Sequence, residues 1–398
     1  MAKEEKKAPK LRFNGYTNDW ERKKLGEIGS VSMNKRIFKD ETSTIGEIPF
    51  YKIGTFGGKA DAFITREKYE EYKKKYPYPQ KGNLLISASG SIGRIIEYNG
   101  EEAYYQDSNI VWLDHDNTIL DVFLKPTYEI IKWDGIEGTT IKRLYNKNIL
   151  NTVIYKPTID EQRKIGKLFI ILNNTIQLHE RKCEELNLIK KALLQKLFPK
   201  KDEVTPEIRY KNFSAAWEQR KLGGVAKFYS GGTPSVGVSD YYDGTIPFIR
   251  SAEINSTSTE LYLSELGLQN SSAKMVHRRD ILYALYGATS GEVGISKING
   301  AINQAILAII PHKGYNSEFL EQWLKKNKEA IIKTYLQGGQ GNLSGAIVKQ
   351  IKVSFPSFDE QQKIGKSFQK IDSLITLHQG KLEKLKQLKK FLLQNMFI

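Results

Sequence analysis

The sequence repeats itself, and this repetition constrains the fold more than any other feature of the chain. Residues 9–26 return as 206–223 with 7 of 18 positions identical, and 157–198 return as 356–397 with 21 of 42 identical. The stretches between these matched segments are similar in length but much less alike. A chain of 398 residues is also too long to fold around a single hydrophobic core. The order of variable body, repeated segment, variable body and repeated segment predicts a pseudo-two-fold arrangement within one polypeptide.

Each copy of the longer repeat carries the signals of a long helix. Thr158 and Ser357 each follow a proline and precede a glutamate by three residues, which predicts a capping box with the glutamate side chain bonded to the cap amide. Apolar residues then recur at alternating spacings of four and three, and this average of 3.5 is typical of a coiled-coil seam. Two such helices related by a two-fold axis must run antiparallel.

The same two positions interrupt the apolar seam in both helices. A histidine stands at the first of them, His179 or His378, and a lysine at the second, Lys190 or Lys389. For the histidines, a role in packing or register is the simpler interpretation, and a ligand-binding or catalytic role is the alternative. The sequence leaves the role of the histidines open.

Short apolar runs separated by turn residues predict strand-rich bodies, whereas 318–335 has helical spacing, so the fold class is mixed α/β. The predicted domains are a first body with its leader at 1–157, a long helix at 158–198, a linker at 199–212, a second body at 213–356 and a second long helix at 357–398.

Loops rich in Gly, Ser and Thr follow comparable strands in both bodies. Such loops offer amides and hydroxyls to phosphate, while nearby Tyr, Arg, Gln and Asn side chains reach base edges. The residues predicted to bind DNA are Ser87, Ser89, Ser91, Arg94, Tyr105, Gln106, Thr233, Ser235, Arg250, Tyr286, Thr289, Ser290, Gln304, Gln340 and Asn342.

Charge and composition favour a nucleic-acid partner over a membrane. Lys and Arg number 61 against 45 Asp and Glu, a formal charge of +16, and the pI is about 9.4. No apolar run approaches the ~20 residues that a membrane span requires. A charged N-terminus and a single cysteine, Cys183, predict a cytoplasmic protein without signal peptide, intrachain disulfide or zinc site.

Motifs for DNA chemistry are missing from the sequence. No two of the 12 prolines are adjacent, so the Pro-Pro core of an amino-methyltransferase is absent. Gly365-Lys366-Ser367 ends like a P-loop, but Glu360 stands where its first glycine is needed. The acidic residues that begin each long helix resemble nuclease motifs only faintly and suit a helix N-terminus. The sequence therefore predicts a chain that binds DNA and leaves catalysis to other proteins.

Several segments spread over nearly the whole chain share a pattern with known proteins. They are Trp20-Glu21 with Lys24-Leu25-Gly26, Trp217-Glu218 with Lys221-Leu222-Gly223, Gly231-Gly232-Thr233-Pro234-Ser235, Ile246-Pro247-Phe248, Leu285-Tyr286-Gly287-Ala288-Thr289, Asn303-Gln304-Ala305-Ile306 and the Pro-x-x-Asp-Glu-Gln-x-x-Ile start of each long helix. Together these segments resemble the specificity subunit of type I restriction-modification systems. The first body departs from the pattern, because Ser30-Val31-Ser32-Met33-Asn34 stands where the Gly-Gly-Thr-Pro-Ser loop is expected.

The resemblance implies a non-catalytic DNA-recognition subunit with two target-recognition domains, one for each half of an interrupted site, and helices that set the spacing. It also implies double-stranded DNA, two methyltransferase (M) subunits and restriction (R) subunits as partners. S-adenosylmethionine, ATP and Mg would then belong to those partners and no cofactor to this chain. The exposed faces of 158–198 and 357–397 are the docking surface expected for the M subunits.

Two other classes of function stay open from the sequence. The first is a stand-alone DNA methyltransferase or nuclease, against which the missing motifs argue. The second is a non-enzymatic architectural or RNA-binding coiled-coil protein, which would show no sharp sequence preference. The recognised bases, the spacer length and the presence of a restriction subunit are not encoded in any recognisable pattern.

Overall fold

A computed structural model describes residues 8–135, 143–200, 203–336 and 342–398. The chain divides into two compact units, one formed by Met1–His179 with Lys381–Ile398 and the other by Glu180–Gly380. Each unit therefore contains one strand-rich body and a part of each long helix.

The strands are short and follow the turn-rich pattern of the two bodies. Their bounds are β1 Glu21–Lys24, β2 Gly29–Ser32, β3 Ile48–Tyr51, β4 Phe63–Ile64, β5 Leu84–Ser87, β6 Ile95–Glu97, β7 Tyr104–Tyr105, β8 Ile110–His115, β9 Val153–Lys156, β10 Glu218–Lys221, β11 Ala226–Ser230, β12 Ile246–Ile249, β13 Leu261–Leu263, β14 Lys274–Val276, β15 Ile281–Ala284, β16 Val293–Ile295, β17 Gly300–Ile302, β18 Ile306–Pro311 and β19 Lys352–Phe355.

Two of the helices are far longer than the rest, and both agree within two or three residues with the predicted ranges. The bounds are α1 Arg66–Lys75, α2 Asp121–Ile130, α3 Asn146–Asn151, α4 Ile159–Lys196, α5 Glu265–Gln269, α6 Ser317–Leu336, α7 Gly345–Gln350 and α8 Phe358–Asn395.

The two bodies share one sheet plan. Each has an antiparallel sheet of four strands, β2-β8-β5-β6 or β11-β18-β15-β16, and a mixed sheet, which has three strands in the first body, β4-β3-β7, and four in the second, β13-β12-β17-β14. In the mixed sheets the pairs β3–β7 and β12–β17 are parallel. Each body is closed by a two-stranded sheet, β1–β9 or β10–β19, whose second strand leads into a long helix. The prediction of a mixed α/β fold in two strand-rich bodies is confirmed.

Each unit has the same aromatic core at matching positions of the repeat. In the first unit Phe397 packs against Trp20, Phe123 and Phe169 with ring centroids 6.2, 5.6 and 5.8 Å away. In the second unit Phe198 packs on Trp217, Phe319 and Phe368 at 6.2, 5.2 and 6.0 Å. Large aromatic rings bury much area in few residues, so these clusters anchor the body to both helices in each unit.

The ring contacts also give the direction of the helices. In the first unit Phe169, near the start of α4, meets Phe397, just beyond the end of α8. In the second unit Phe198, just beyond the end of α4, meets Phe368, near the start of α8. Within each unit the two helical segments are therefore antiparallel, as the repeat predicts.

The lysines that interrupt the seam have acidic partners. Lys190 Nζ lies 2.6 Å from the Asp372 carboxylate within the second unit. Lys389 Nζ lies 2.7 Å from Glu129 of α2 within the first. A lysine at a seam position is compatible with packing when its ammonium reaches a partner at the edge of the seam.

The acidic residues that begin each long helix bond to other parts of their own unit. The Ser357 hydroxyl accepts from the Glu360 amide at 3.4 Å, as a cap does. The Glu360 side chain, which the capping-box pattern predicts at the cap amide, instead accepts two 2.7 Å hydrogen bonds from Arg209. Glu161 accepts two bonds of the same length from Arg12. Both glutamates are fully buried, so each forms a bidentate ion pair between the start of a long helix and the segment before its body.

The glutamine that follows each of these glutamates ties the helix to a loop of the body. Gln162 Oε1 accepts from the Leu120 amide at 2.9 Å, and its Nε2 donates to Thr118 and Pro157 carbonyls. Gln361 makes the matching bonds to Asn316 and Pro356. The Glu-Gln pair of the shared motif is therefore structural in both repeats, which explains the faint nuclease-like pattern without any catalytic role.

Candidate nucleic-acid interface

In each body, backbone hydrogen bonds join three loops at the end of one buried strand. After β5 the Ala88 amide donates to the Asn109 carbonyl at 2.7 Å, and the Ala88 carbonyl accepts from the Leu144 amide at 2.7 Å. After β15 the residue Leu285 makes the equivalent bonds to Ala305 and Leu343, both at 2.8 Å. We define the first loop cluster as residues 88–94, 106–109 and 143–145, and the second as 231–235, 285–291, 303–305 and 342–344.

A left-handed glycine shapes the turn in both clusters. Gly90 has φ +65° and Gly287, at the matching position, has φ +81°. Glycine adopts this conformation at no steric cost, so the turn after the strand can fold back and expose its neighbours. Ser91 and Arg94 on the first turn are exposed, and Thr289 and Ser290 on the second are half-buried.

The first loop cluster brings together several predicted residues. The Ser89 hydroxyl donates to Asn109 Oδ1 at 2.8 Å, and Gln106 Oε1 accepts from the Ile53 amide at 3.0 Å. Arg94 Nη2 reaches the Gly57 carbonyl at 3.5 Å. These contacts are made by the terminal polar atoms of the three side chains, and Ser89 and Gln106 stay partly accessible.

Two residues predicted to bind DNA in the first body lie inside it instead. The Ser87 side chain is 1% exposed, donates to the Ser91 carbonyl and accepts from the Arg94 amide at 2.8 Å. Tyr105 is 3% exposed and its hydroxyl donates to Glu101 at 2.6 Å. Burial first, and this carboxylate second, raise the pKa of the Tyr105 hydroxyl. Because buried side chains cannot reach a ligand, both predictions are wrong: Ser87 stabilises the turn and Tyr105 belongs to the core.

The second loop cluster unites the predicted residues more closely. The Thr233 hydroxyl donates to Gln304 Oε1 at 2.6 Å, which joins the 231–235 loop to the 303–305 loop. Tyr286 pairs with Asn342 through an antiparallel β-bridge, and the Ser290 hydroxyl donates to the Leu285 carbonyl at 3.1 Å. Partial burial raises the pKa of the Tyr286 hydroxyl above its ordinary value.

A glycine fixes the path of the 231–235 loop. A Cβ atom on Gly231 would lie 1.7 Å from the Ile302 carbonyl oxygen, so this position accepts only glycine without a backbone shift. The loop is thereby pressed against β17, and Thr233 and Ser235 are exposed beyond it.

Arg250 has its charge paired within the second body. Its guanidinium bonds to Glu253 at 3.1 Å and also to Glu260. These hydrogen bonds, the one to Glu253 first, raise the Arg250 pKa. Contact between Arg250 and DNA stays a prediction. Gln340 lies outside the described residues.

Sequence reasoning missed one prominent residue of the first loop cluster, Arg143. Its Nη2 donates to the Ser108 carbonyl at 3.1 Å, and the guanidinium lies 5.8 Å from the Tyr145 ring centroid. Arg143 is the β-bridge partner of Ser89. No local motif marks it, but residues 143–145 and 342–344 correspond at the repeat offset of 199, so alignment of the two repeats could have indicated it beside Asn342.

Within the described parts of the chain, no group of three or more His, Cys, Asp or Glu side chains is placed to hold a metal ion. The same residues contain no helix that is both long and apolar enough to span a membrane.

The family described as the type I restriction modification DNA specificity domain matches residues 17–188 and again residues 215–387. The chain belongs to this family. The two matched copies contain both loop clusters and most of α4 and α8, so the internal repeat corresponds to two DNA specificity domains.

Individual relatives resemble the chain to different extents. A putative type I restriction enzyme specificity subunit of Haemophilus influenzae is 52% identical over 156 residues, which span 38% of this chain and 40% of that protein. The putative MjaX specificity subunit of Methanocaldococcus jannaschii is 27% identical over 413 residues, covering 96% of this chain and 93% of that protein. The crystal structure of a type I restriction-modification S subunit from M. genitalium has a TM-score of 0.69 at 17% identity, covers 98% of this chain and 99% of that one, and shows the same fold.

Proposed function

We propose that the chain is the specificity subunit of a type I restriction-modification complex and recognises a bipartite DNA target, one half through each body. The observation that carries the proposal is the pair of loop clusters. Both rest on the same strand ends and the same backbone hydrogen bonds, yet they present different side chains. A common scaffold with different polar groups is the arrangement expected of two readers for two different half-sites.

The excess of positive charge supports binding to DNA. The formal charge of +16 provides the sequence-independent attraction to phosphates on which base recognition is superimposed. The loop clusters add hydroxyl, amide and guanidinium groups, which are the types of side chain that contact base edges.

The long helices offer a repeated apolar surface that suits partner subunits. Leu178 and Leu388 are 54% and 45% exposed in the first unit, and Leu377 and Ile189 are 50% and 49% exposed in the second. Leu178 matches Leu377, and Ile189 matches Leu388, at the repeat offset of 199. Exposed apolar residues at equivalent positions in both units favour two copies of one partner, which we assign to two methyltransferase subunits. Restriction subunits would join the same complex.

The proposal is tested by expressing the chain with its methyltransferase partners and sequencing the methylated sites. We expect one interrupted motif whose two halves each contain a methylated adenine, with methylation absent when this chain is omitted. Methylation without a defined motif, or an uninterrupted motif, would contradict the proposal.

The purified chain alone provides the matched control. Because S-adenosylmethionine, ATP and Mg are assigned to the partners, we expect no methyl transfer, cleavage or ATP hydrolysis by this chain. Turnover by the highly purified protein that is lost on a point substitution within it would mean that the chain is itself an enzyme.

A further inference from the structure

Arg143 and Asn342 occupy the same structural position in the two bodies. Arg143 forms the β-bridge with Ser89, and Asn342 forms it with Tyr286. In such a bridge the paired side chains stand on one face, with Cβ atoms about 4.5–5.5 Å apart. Ser89 and Tyr286 follow equivalent buried strands and precede the left-handed glycines of the two turns. The two bridge pairs therefore present their side chains from one position of the common scaffold.

Arg143 is held so that its guanidinium is oriented before any ligand binds. One nitrogen, Nη2, donates to the Ser108 carbonyl, and the plane lies near the Tyr145 ring. Ser108 adopts φ +52°, a left-handed conformation that non-glycine residues rarely adopt. The carbonyl that accepts from Arg143 therefore belongs to a residue with a strained backbone. Strained backbone is found preferentially where a functional group must be positioned.

Asn342 presents different chemistry from the same position. Its side chain is exposed, and the next residue, Leu343, is buried and bonded to Leu285. The backbone around Asn342 is therefore fixed while its amide group projects from the cluster. A carboxamide offers one donor and one acceptor side by side, whereas a guanidinium offers donors alone.

We propose that Arg143 and Asn342 are matched specificity-determining residues, with Arg143 recognising a guanine in one half-site and Asn342 recognising an adenine in the other. The major-groove edge of guanine shows two acceptors, O6 and N7, which suit a guanidinium fork. The edge of adenine shows the N6 donor and the N7 acceptor, which suit a carboxamide. This inference rests on the proposed function and adds the base identity read by one residue in each body.

The test uses the assembled complex with its methyltransferase partners and selection from a randomised duplex library. The variants are Arg143→Lys, Arg143→Ala and Asn342→Ala, each compared with the unsubstituted chain. Arg143→Lys keeps the positive charge but loses the fork. In both Arg143 variants we expect the preference for guanine over the other bases to fall by about 5- to 150-fold at one position of one half-site. Asn342→Ala should lose a similar preference for adenine at one position of the other half-site.

The unsubstituted complex separates failure of this inference from failure of the proposed function. If that complex selects no interrupted motif, the proposed function is wrong. If it selects one and Arg143→Lys leaves every preference unchanged, or Arg143→Ala weakens all sequences alike, Arg143 is not a base-reading residue. Loss of preference for a base other than guanine would also overturn the assignment. Arg143→Lys preserves the charge and the bulk of the side chain. If Arg143→Ala does not fold, the Arg143→Lys variant alone therefore tests whether Arg143 reads a base.

Discussion

At the scale of single residues, the two buried arginine–glutamate pairs are the contacts that local sequence patterns could least indicate. Arg12 and Glu161 are 149 residues apart, and Arg209 and Glu360 are 151 apart. The glutamates do lie three residues after a cap hydroxyl, so a local interpretation assigned them to the cap. The fold brings a distant arginine to each of them, and this pairing takes both carboxylate oxygens.

Removal of one partner of such a pair should therefore lower the free energy of unfolding. In Arg209→Ala the Glu360 carboxylate, 1% exposed, loses its counter-charge in a buried site. We expect a loss of about 3–5 kcal/mol in the free energy of unfolding, measured by urea denaturation of the full chain. The matched control is Arg220→Ala, whose partner Glu218 is 70% exposed, with an expected change within about 0.5 kcal/mol. Equal effects of the two substitutions would contradict the structural role of Arg209.

His115 should make the stability of the first unit depend on pH. Its Nε2 lies 3.2 Å from Asp121, and Nδ1 lies 2.8 Å from the Asp116 carbonyl. The Asp121 carboxylate raises the pKa of this half-buried imidazole above its ordinary value. A raised folded-state pKa means that the stabilisation is fully present below the unfolded value of about 6.5 and is lost as pH rises through the folded value.

Urea unfolding across this pH window, followed in the full chain and in His115→Gln, tests the assignment. The free energy of unfolding should fall with rising pH in the unsubstituted chain, and the His115→Gln variant should show a smaller slope. An identical slope in both proteins would show that other groups account for the pH dependence.

At the scale of secondary-structure elements, glycines in the long helices serve two different purposes. A Cβ atom on Gly166 would lie 2.7 Å from the Val122 carbonyl oxygen, and one on Gly365 would lie 2.6 Å from Asn316 Oδ1. Gly166 and Gly365 are equivalent in the repeat and allow the body to approach the helix. Gly380 of α8 has nothing within 4 Å of such a Cβ atom among the described residues.

Alanine substitution should separate these purposes. Alanine favours a helix interior by about 0.8–1 kcal/mol over glycine, so Gly380→Ala should stabilise the chain by up to that amount. Gly166→Ala and Gly365→Ala should instead destabilise it by about 1–3 kcal/mol, because the methyl group clashes with packed neighbours. Thermal unfolding of the three variants measures the difference, and stabilisation by all three would refute the close approach.

The long helices and main strands could be predicted from the sequence because periodicity and caps are local signals. The predicted helix at 318–335 lies within α6, and the predicted run 280–284 contains β15. The loop clusters were predicted only in part. Gly-rich turns identified the turns after β5 and β15, but Ser87 and Tyr105 were misassigned since burial depends on the whole sheet. Arg143 was missed because no local motif marks it: its position in the loop cluster follows from the β-bridge to Ser89 and from its equivalence to Asn342 in the repeat.

At the scale of the whole molecule, the repeat gives each unit its own complete set of stabilising contacts. Each one closes its own aromatic core, forms its own Arg–Glu pair and carries its own loop cluster. Contacts that define one cluster are made within its own body, so a change in one body should leave the other cluster intact. Recognition of a bipartite target, one half through each body, requires this independence.

The most direct test is to replace residues 213–356 with the corresponding body of another specificity subunit and to sequence the methylated sites in cells that express the complex. We expect one half of the interrupted motif to change and the other half to stay the same. The control exchange keeps the body but replaces the loop residues 342–344 alone, and it should alter only the half that changed before. A change in both halves, or in neither, would show that the two bodies do not recognise separate half-sites.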